Sequence, residues 1–175
     1  MNNDLLALGL PTYKRPDFAV KAIANAIALD VYDEIIISCN SKESIIESFI
    51  DSIGPDCRVI YNLQPENVGL SQNYSDIISL TKCRYIHIVS DEDSLDGRNA
   101  KELYKFIENS DIQPGIICLS VLDQYGAVYK DTSTQQNHNI KNICSDAGHI
   151  GTTVINCSHW KNRNIDLLSE YSKRL

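Results

Sequence analysis

The sequence predicts an α/β protein built on a doubly wound, mostly parallel sheet flanked by helices. Four short apolar runs, at residues 5–10, 34–38, 58–62 and 85–90, read as strands. Three segments of helical period separate them, so strand and helix alternate through about 90 residues. In addition, the polar loops at 11–16, 39–44, 62–69 and 91–93 each follow a strand, and in such sheets those loops share the carboxyl edge where ligands bind.

Each element has a local reason. Residues 5–10 form an apolar run closed by Pro11, and residues 12–16 form a polar loop. From Asp17 the pattern turns helical, with Ala19, Ala22, Ile23, Ala26 and Ile27 on one face. Pro16 suits the first turn, where its missing N–H costs nothing. Residues 34–38 are too apolar on both faces for a solvated edge strand. Ile45, Ile46, Phe49, Ile50 and Ile53 then mark a short helix that stops near Gly54 and Pro55. After the third strand, Leu70, Tyr74, Ile77 and Ile78 are spaced for one face of a helix over 70–80. Beyond the fourth strand, 97–109 reads as a helix with Ala100, Leu103, Tyr104, Phe106 and Ile107 mostly on one side. Residues 115–122 read as a strand, 126–130 as its hairpin partner, 131–142 as an aperiodic loop, 146–156 as holding a strand and 160–175 as a terminal helix.

A chain of 175 residues is expected to form one domain over 1–175, with 43% hydrophobic and 22% charged residues typical of a globular protein. Its net charge of −7 argues against nucleic acid or an anionic membrane as the main partner. The six cysteines show no C-x-x-C pair and no tight ligand spacing, which predicts reduced thiols in a cytoplasmic protein. The polar start at residues 1–4 predicts no signal peptide, and the apolar runs are too short to span a bilayer.

The chemistry concentrates where the fourth strand leaves the core, at Asp91, Glu92 and Asp93. In an extended chain, side chains two apart point the same way, so Asp91 and Asp93 could address one ion. Two oxygen ligands beside open positions suit Mg²⁺ or Mn²⁺, with a diphosphate supplying further oxygens. The same stretch could instead cap the next helix, since Asp93, Ser94 and Asp96 favour N-cap positions.

The loop Pro11-Thr-Tyr-Lys-Arg-Pro16, the strand at 34–38, the segment Asn67-Val-Gly-Leu-Ser-Gln-Asn73 and the acidic stretch Ser90-Asp-Glu-Asp93 occur in this order, each in step with a predicted strand. That series resembles the family 2 glycosyltransferases of GT-A fold, over roughly the first 95 residues. The resemblance implies a Rossmann-like nucleotide-sugar domain and a metal-dependent, inverting transferase. Its donor is a nucleotide sugar and its acceptor a glycan or lipid-linked chain, as in bacterial surface polysaccharide synthesis. It implies a cytoplasmic location, at the inner face of the membrane if a missing C-terminal part or a partner anchors it.

By the same resemblance, Pro11, Thr12 and Tyr13, with Arg15 of the same loop, would lie against the donor. Relatives carry a base-recognising Asp after the second strand. Here Cys39 stands in its place and Asn40, which can donate and accept, is the substitute. Asn67, Gly69 and Asn73 would complete the donor side, while Gln72 replaces an Arg common in relatives. Asp93 would coordinate Mn²⁺ or Mg²⁺, and Asp91 would meet the ribose or share the ion. Glu92 would point to solvent or to a basic neighbour. His149, between Gly148 and Gly151, is the acceptor-side candidate, and His87 in the fourth strand is expected to be packed. Asp166 and Glu170 are the late acids that could serve as the base, but they sit in a helical pattern with Leu167, Leu168 and Tyr171. The chain is short for the family's catalytic domain. It would fit a chain truncated at the acceptor side, a minimal member, or a module that binds donor or a partner protein without transfer. A sugar nucleotidyltransferase has a related fold, but the glycine-rich loop it needs near the first strand is replaced by Leu8-Gly-Leu-Pro11.

Overall fold

The computed structural model describes residues 4–56, 58–119, 121–122, 128–130, 151 and 153–158. Their order is β1 (Leu6–Thr12), α1 (Pro16–Leu29), β2 (Glu34–Cys39), α2 (Ser44–Ile53), β3 (Val59–Leu63), α3 (Gly69–Leu80), β4 (Tyr85–Ile88), α4 (Gly97–Asn109), β5 (Ile116–Cys118), β6 (Val121–Leu122), β7 (Val128–Lys130) and β8 (Thr153–Asn156). The main sheet runs β3-β2-β1-β4-β8-β5. Its first four strands are parallel, and β8 lies antiparallel between β4 and β5. The α/β class and the mostly parallel sheet are as the sequence predicts.

Alternation along the strands divides the core in two. Leu6, Leu8, Leu10, Ile35 and Ile37 face Ala19, Ile23 and Ala26 of α1, Ile46 of α2, and Leu103 and Ile107 of α4. Ala7, Ile36, Ile86 and Ile88 face the opposite way, onto Ile77 and Ile78 of α3. Because helices cover both faces, β1, β2 and β4 are buried at every position.

Several boundaries differ from the sequence reading. β1 continues through Pro11 to Thr12. The Gly9 carbonyl accepts from the Val89 N–H at 3.0 Å, so Gly9, and Pro11 two residues on, face β4. Pairing with β4 ends at Gly9 and Ile88, so the N–H that Pro11 lacks would have had no ladder partner. On the β2 side the ladder continues, with the Asn40 N–H donating to the Thr12 carbonyl at 2.9 Å.

The helix faces also shift. Leu70 of α3 is 57% exposed, and Asn73 and Ser75 are buried with Ile77 and Ile78. The first turn of α3 sits at the polar strand ends, where an amide has more to bond than a leucine. In α4 the buried stripe is Ala100, Leu103 and Ile107, leaving Phe106 52% exposed one residue off the stripe. The strand expected over 115–122 is divided into β5 in the main sheet and β6, which pairs with β7 as a hairpin. The loop at 131–142, the helix at 160–175, Cys57 and Cys144 lie outside the described residues; Cys39 and Cys83 are free, buried thiols.

Gly9 permits a close approach of β1 to α3. A Cβ there would stand 2.6 Å from Ile77 Cγ2 and 3.2 Å from Ile88 Cγ1, both fully packed. Gly9→Ala should therefore destabilise the fold by about 1–3 kcal/mol, read from the urea midpoint at constant m.

Candidate functional site

The strand order fixes where a ligand cleft can open. The chain proceeds from β1 outward to β2 and β3, then returns to place β4 on the other side of β1. The connections after β1 and β4 therefore leave in opposite directions and open a crevice at the carboxyl ends of those two strands. Thr12 ends β1, and Ser90–Asp93 follow β4, so the two motifs meet there although nearly eighty residues separate them in sequence.

Asp91 is the centre of this meeting. Its side chain is 1% exposed, and its Oδ2 accepts from Thr12 Oγ1 at 2.7 Å. Its Oδ1 makes no hydrogen bond, and its ionic partner is Arg15 Nη2 at 3.2 Å. The other arm of the Arg15 fork meets the exposed carboxylate of Glu92. Arg15 is the N-cap residue of α1, with extended rather than helical φ, and it follows Lys14 in the left-handed region at φ 55°. This conformation turns the Arg15 side chain back over the acidic stretch instead of along the helix.

The acidic stretch is a turn rather than an extended segment. The Asp93 N–H donates to the Ser90 carbonyl at 3.1 Å, and Asp93 Oδ2 accepts from the Ser90 N–H at 3.1 Å. The alternation argument for Asp91 and Asp93 thus does not apply. Asp91 turns inward, and Asp93 stays exposed and folds back over the turn. The capping role belongs to Asp96, whose carboxylate accepts from the Arg98 and Asn99 N–H groups of α4. Among the described residues no three His, Cys, Asp or Glu side chains gather as a metal site. Two carboxylates on one turn, one with a buried oxygen that lacks a hydrogen bond, still fit a hard divalent cation that takes its remaining oxygens from a ligand.

The rim of the crevice is tied to itself by amides. Asn40 Nδ2 donates to the Gly69 carbonyl at 3.3 Å and its Oδ1 accepts from the Val68 N–H at 3.4 Å, so both ends of this amide hold the opening of α3. Asn67 Oδ1 accepts from the Gly69 N–H at 3.0 Å. Asn73 is buried and donates to the Ser38 carbonyl at 3.2 Å. These three residues frame the crevice through the backbone. Cys39, at the end of β2, packs into the core, and burial pushes its thiol pKa up. Pro11 is buried in β1, whereas Tyr13 is exposed with Lys14 Nζ 5.0 Å over its ring. The Lys14 N–H donates to Ser41 Oγ at 2.9 Å, linking the β1 and β2 loops.

Two further residues stand close. Tyr74 carries a buried hydroxyl with no hydrogen-bond partner, and burial and the charges of Asp93 and Asp91 push its pKa up. The sequence offered Tyr74 only as a core residue. Its signal was its place one turn into a helix that starts at the ligand edge. His87 is packed, as expected. Its Nε2 contacts the Gly151 carbonyl at 2.9 Å and its Nδ1 contacts Tyr32 Oη at 3.3 Å. A carbonyl only accepts, so Nε2 carries the proton and Tyr32 donates to Nδ1. Gly151 in turn crowds Asp93, for a Cβ on it would lie 2.7 Å from Asp93 Oδ2. His149, Asp166 and Glu170 lie outside the described residues.

No protein-family model and no curated protein matches the sequence. Solved structures do match. Residues 1–349 of S. aureus TarS superpose with a TM-score of 0.70 at 11% identity, over 90% of this chain and 48% of that one. The same protein in complex with UDP gives 0.66 at 13% identity, over 90% and 48%. The mannosyltransferase PcManGT from Pyrobaculum calidifontis, in complex with GDP-Man and Mn²⁺, gives 0.60 at 13% identity, over 86% of this chain and 44% of that one. The chain spans a little under half the length of these proteins. At such identity the likeness is one of fold, and the fold is that of GT-A-type glycosyltransferases.

His87 generates a pH prediction. Burial lowers its pKa below the ordinary value near 6.5, so below that pH the unfolded chain binds the proton that the folded chain refuses. This contribution to stability is whole above about pH 6.5 and is lost as pH falls, by at most about 1.4 kcal/mol per unit. The difference in urea stability between the wild type and His87→Gln should narrow between pH 7 and pH 5.

Proposed function

We propose that the chain is the donor-binding domain of a family 2 glycosyltransferase, a single GT-A-like unit that moves a sugar from a nucleotide-sugar donor to a glycan or lipid-linked acceptor. The observation that carries the reading is a buried carboxylate, Asp91, whose Oδ1 has an ionic partner but no hydrogen bond, at the switch point of a glycosyltransferase-type fold, with Asp93 on the same turn. One solved structure of that fold holds GDP-Man and Mn²⁺ and another holds UDP.

In this reading Asp91 and Asp93 hold Mn²⁺ or Mg²⁺, which when bound stabilises the charge that builds on the departing nucleoside diphosphate. Thr12 fixes Asp91 by its 2.7 Å bond. Tyr13 offers an exposed ring beside the crevice, and Pro11, Asn40, Asn67, Gly69 and Asn73 shape its walls. Transfer with inversion forms a bond from the acceptor oxygen to the anomeric carbon and breaks the bond to phosphate, while a base takes the acceptor proton. That base belongs to the acceptor side; Asp166 and Glu170 are its candidates, and His149 is the acceptor-side residue. A bacterial surface polysaccharide and a cytoplasmic site of action, at the inner membrane face, complete the proposal. Among the described residues no helix is long and apolar enough to cross a membrane.

A second reading, a module that binds nucleotide sugar or a partner protein without transfer, is favoured by Asn40. Both polar ends of its amide are engaged by the protein's own backbone, in the place where relatives read the base.

The two readings separate in a thermal-shift screen of UDP- and GDP-sugars with and without Mn²⁺, followed by assay of slow sugar-nucleotide hydrolysis. Mn²⁺-dependent stabilisation with turnover is expected; stabilisation without turnover selects the module. Asp93→Asn should remove the Mn²⁺-dependent part of the shift and keep the melting temperature of the free protein. Mn²⁺-dependent binding that survives in Asp93→Asn would overturn the metal assignment.

A further inference from the structure

The Oδ1 of Asp91 is buried and lacks a hydrogen bond, and one cation already stands beside it: Arg15 Nη2, at 3.2 Å. A divalent ion on that oxygen would be a second positive charge against the guanidinium, so each weakens the hold of the other. The two compete for Oδ1.

Arg15 is also built to leave. Its side chain is 42% exposed and its second partner, Glu92, is a surface carboxylate, an arrangement that holds weakly. It precedes Pro16 at the start of α1, outside the helical backbone, so its side chain can swing without disturbing a helical turn. A guanidinium fork is shaped for phosphate as well as for carboxylate. Gln72, the neutral residue where relatives carry Arg, instead donates to Asp76 at 2.8 Å.

Resting on the transferase reading, we propose that Arg15 is a displaceable resident counter-ion. In the free protein it neutralises Asp91; a divalent cation expels it, and it then turns to the diphosphate of the incoming nucleotide. Cation and nucleotide are thereby coupled through one side chain. Each favours the other, because the cation frees the guanidinium that the diphosphate uses.

The test is direct Mn²⁺ binding, read from the loss of the free-ion electron paramagnetic resonance signal, for the wild type, Arg15→Gln and Lys14→Gln, alone and with UDP or GDP. Lys14 is the control. It is the adjacent cation, but its ammonium lies over the Tyr13 ring. Without nucleotide, Arg15→Gln should bind Mn²⁺ about tenfold more tightly than wild type. Lys14→Gln should stay within about twofold, the scale of a screened surface charge. The gain in Mn²⁺ affinity produced by nucleotide should shrink in Arg15→Gln. Equal nucleotide-free affinity in Arg15→Gln and wild type would overturn the proposal, as would an equal rise in Lys14→Gln. If wild type and Arg15→Gln bind Mn²⁺ and nucleotide alike, the role of Arg15 falls and the transferase reading stands. If no variant binds Mn²⁺ under any condition, both fall.

Discussion

A carboxylate with almost no exposure must be given fixed partners, and the demand made by Asp91 organises the ligand edge of this protein. Thr12 supplies one, and it can do so only because β1 and β4 are neighbours in the sheet. Pairing between those strands stops at Gly9 and Ile88, so Pro11 and Thr12 part from β4 as Asp91 arrives. The crevice is the gap left by that parting. Arg15, one residue before α1, closes the charge balance from above.

The other edge of the sheet shows what a fully satisfied acid looks like. Asp33 accepts from the N–H groups of Leu5 and Leu6, and Glu34 accepts from Thr81 Oγ1 and the Lys82 N–H. Each of those carboxylates has at least one backbone N–H donor, which cannot leave, and they join strands and loops. Asp91 has a single hydroxyl and a half-exposed guanidinium instead. The two edges differ less in the number of acids than in whether the partners of those acids can move.

The sheet was legible in the sequence because its burial is two-sided, and a short continuous apolar run such as 34–38 suits a strand covered on both faces. The alternation of strands and helices placed the Thr12 and Asp91 loops on one edge of the sheet; that β1 and β4 are neighbours, so that these two residues touch, came from the structure. Finer geometry was not legible. The turn at 90–93 depends on a Ser90–Asp93 hydrogen bond that no periodicity announces. Nor does composition reveal that Arg15 turns back toward Asp91, since this rests on the left-handed backbone of Lys14. Leu70 and Phe106 were misplaced because a helical wheel treats every apolar residue as core, whereas the first turn of α3 and the flank of α4 face outward. Asn40 and Asn73 were read as ligand contacts from their place in a motif. Their amides are also the bonds that set the loops in position.

Those amides carry one further consequence. Asn40 fastens the loop after β2 to the opening of α3, Asn73 fastens α3 to the end of β2, and Ser41 receives the loop after β1. Three segments that would otherwise fluctuate separately are joined into one frame before any ligand arrives. A nucleotide settling there would lose little affinity to the ordering of loops, because folding has already ordered them.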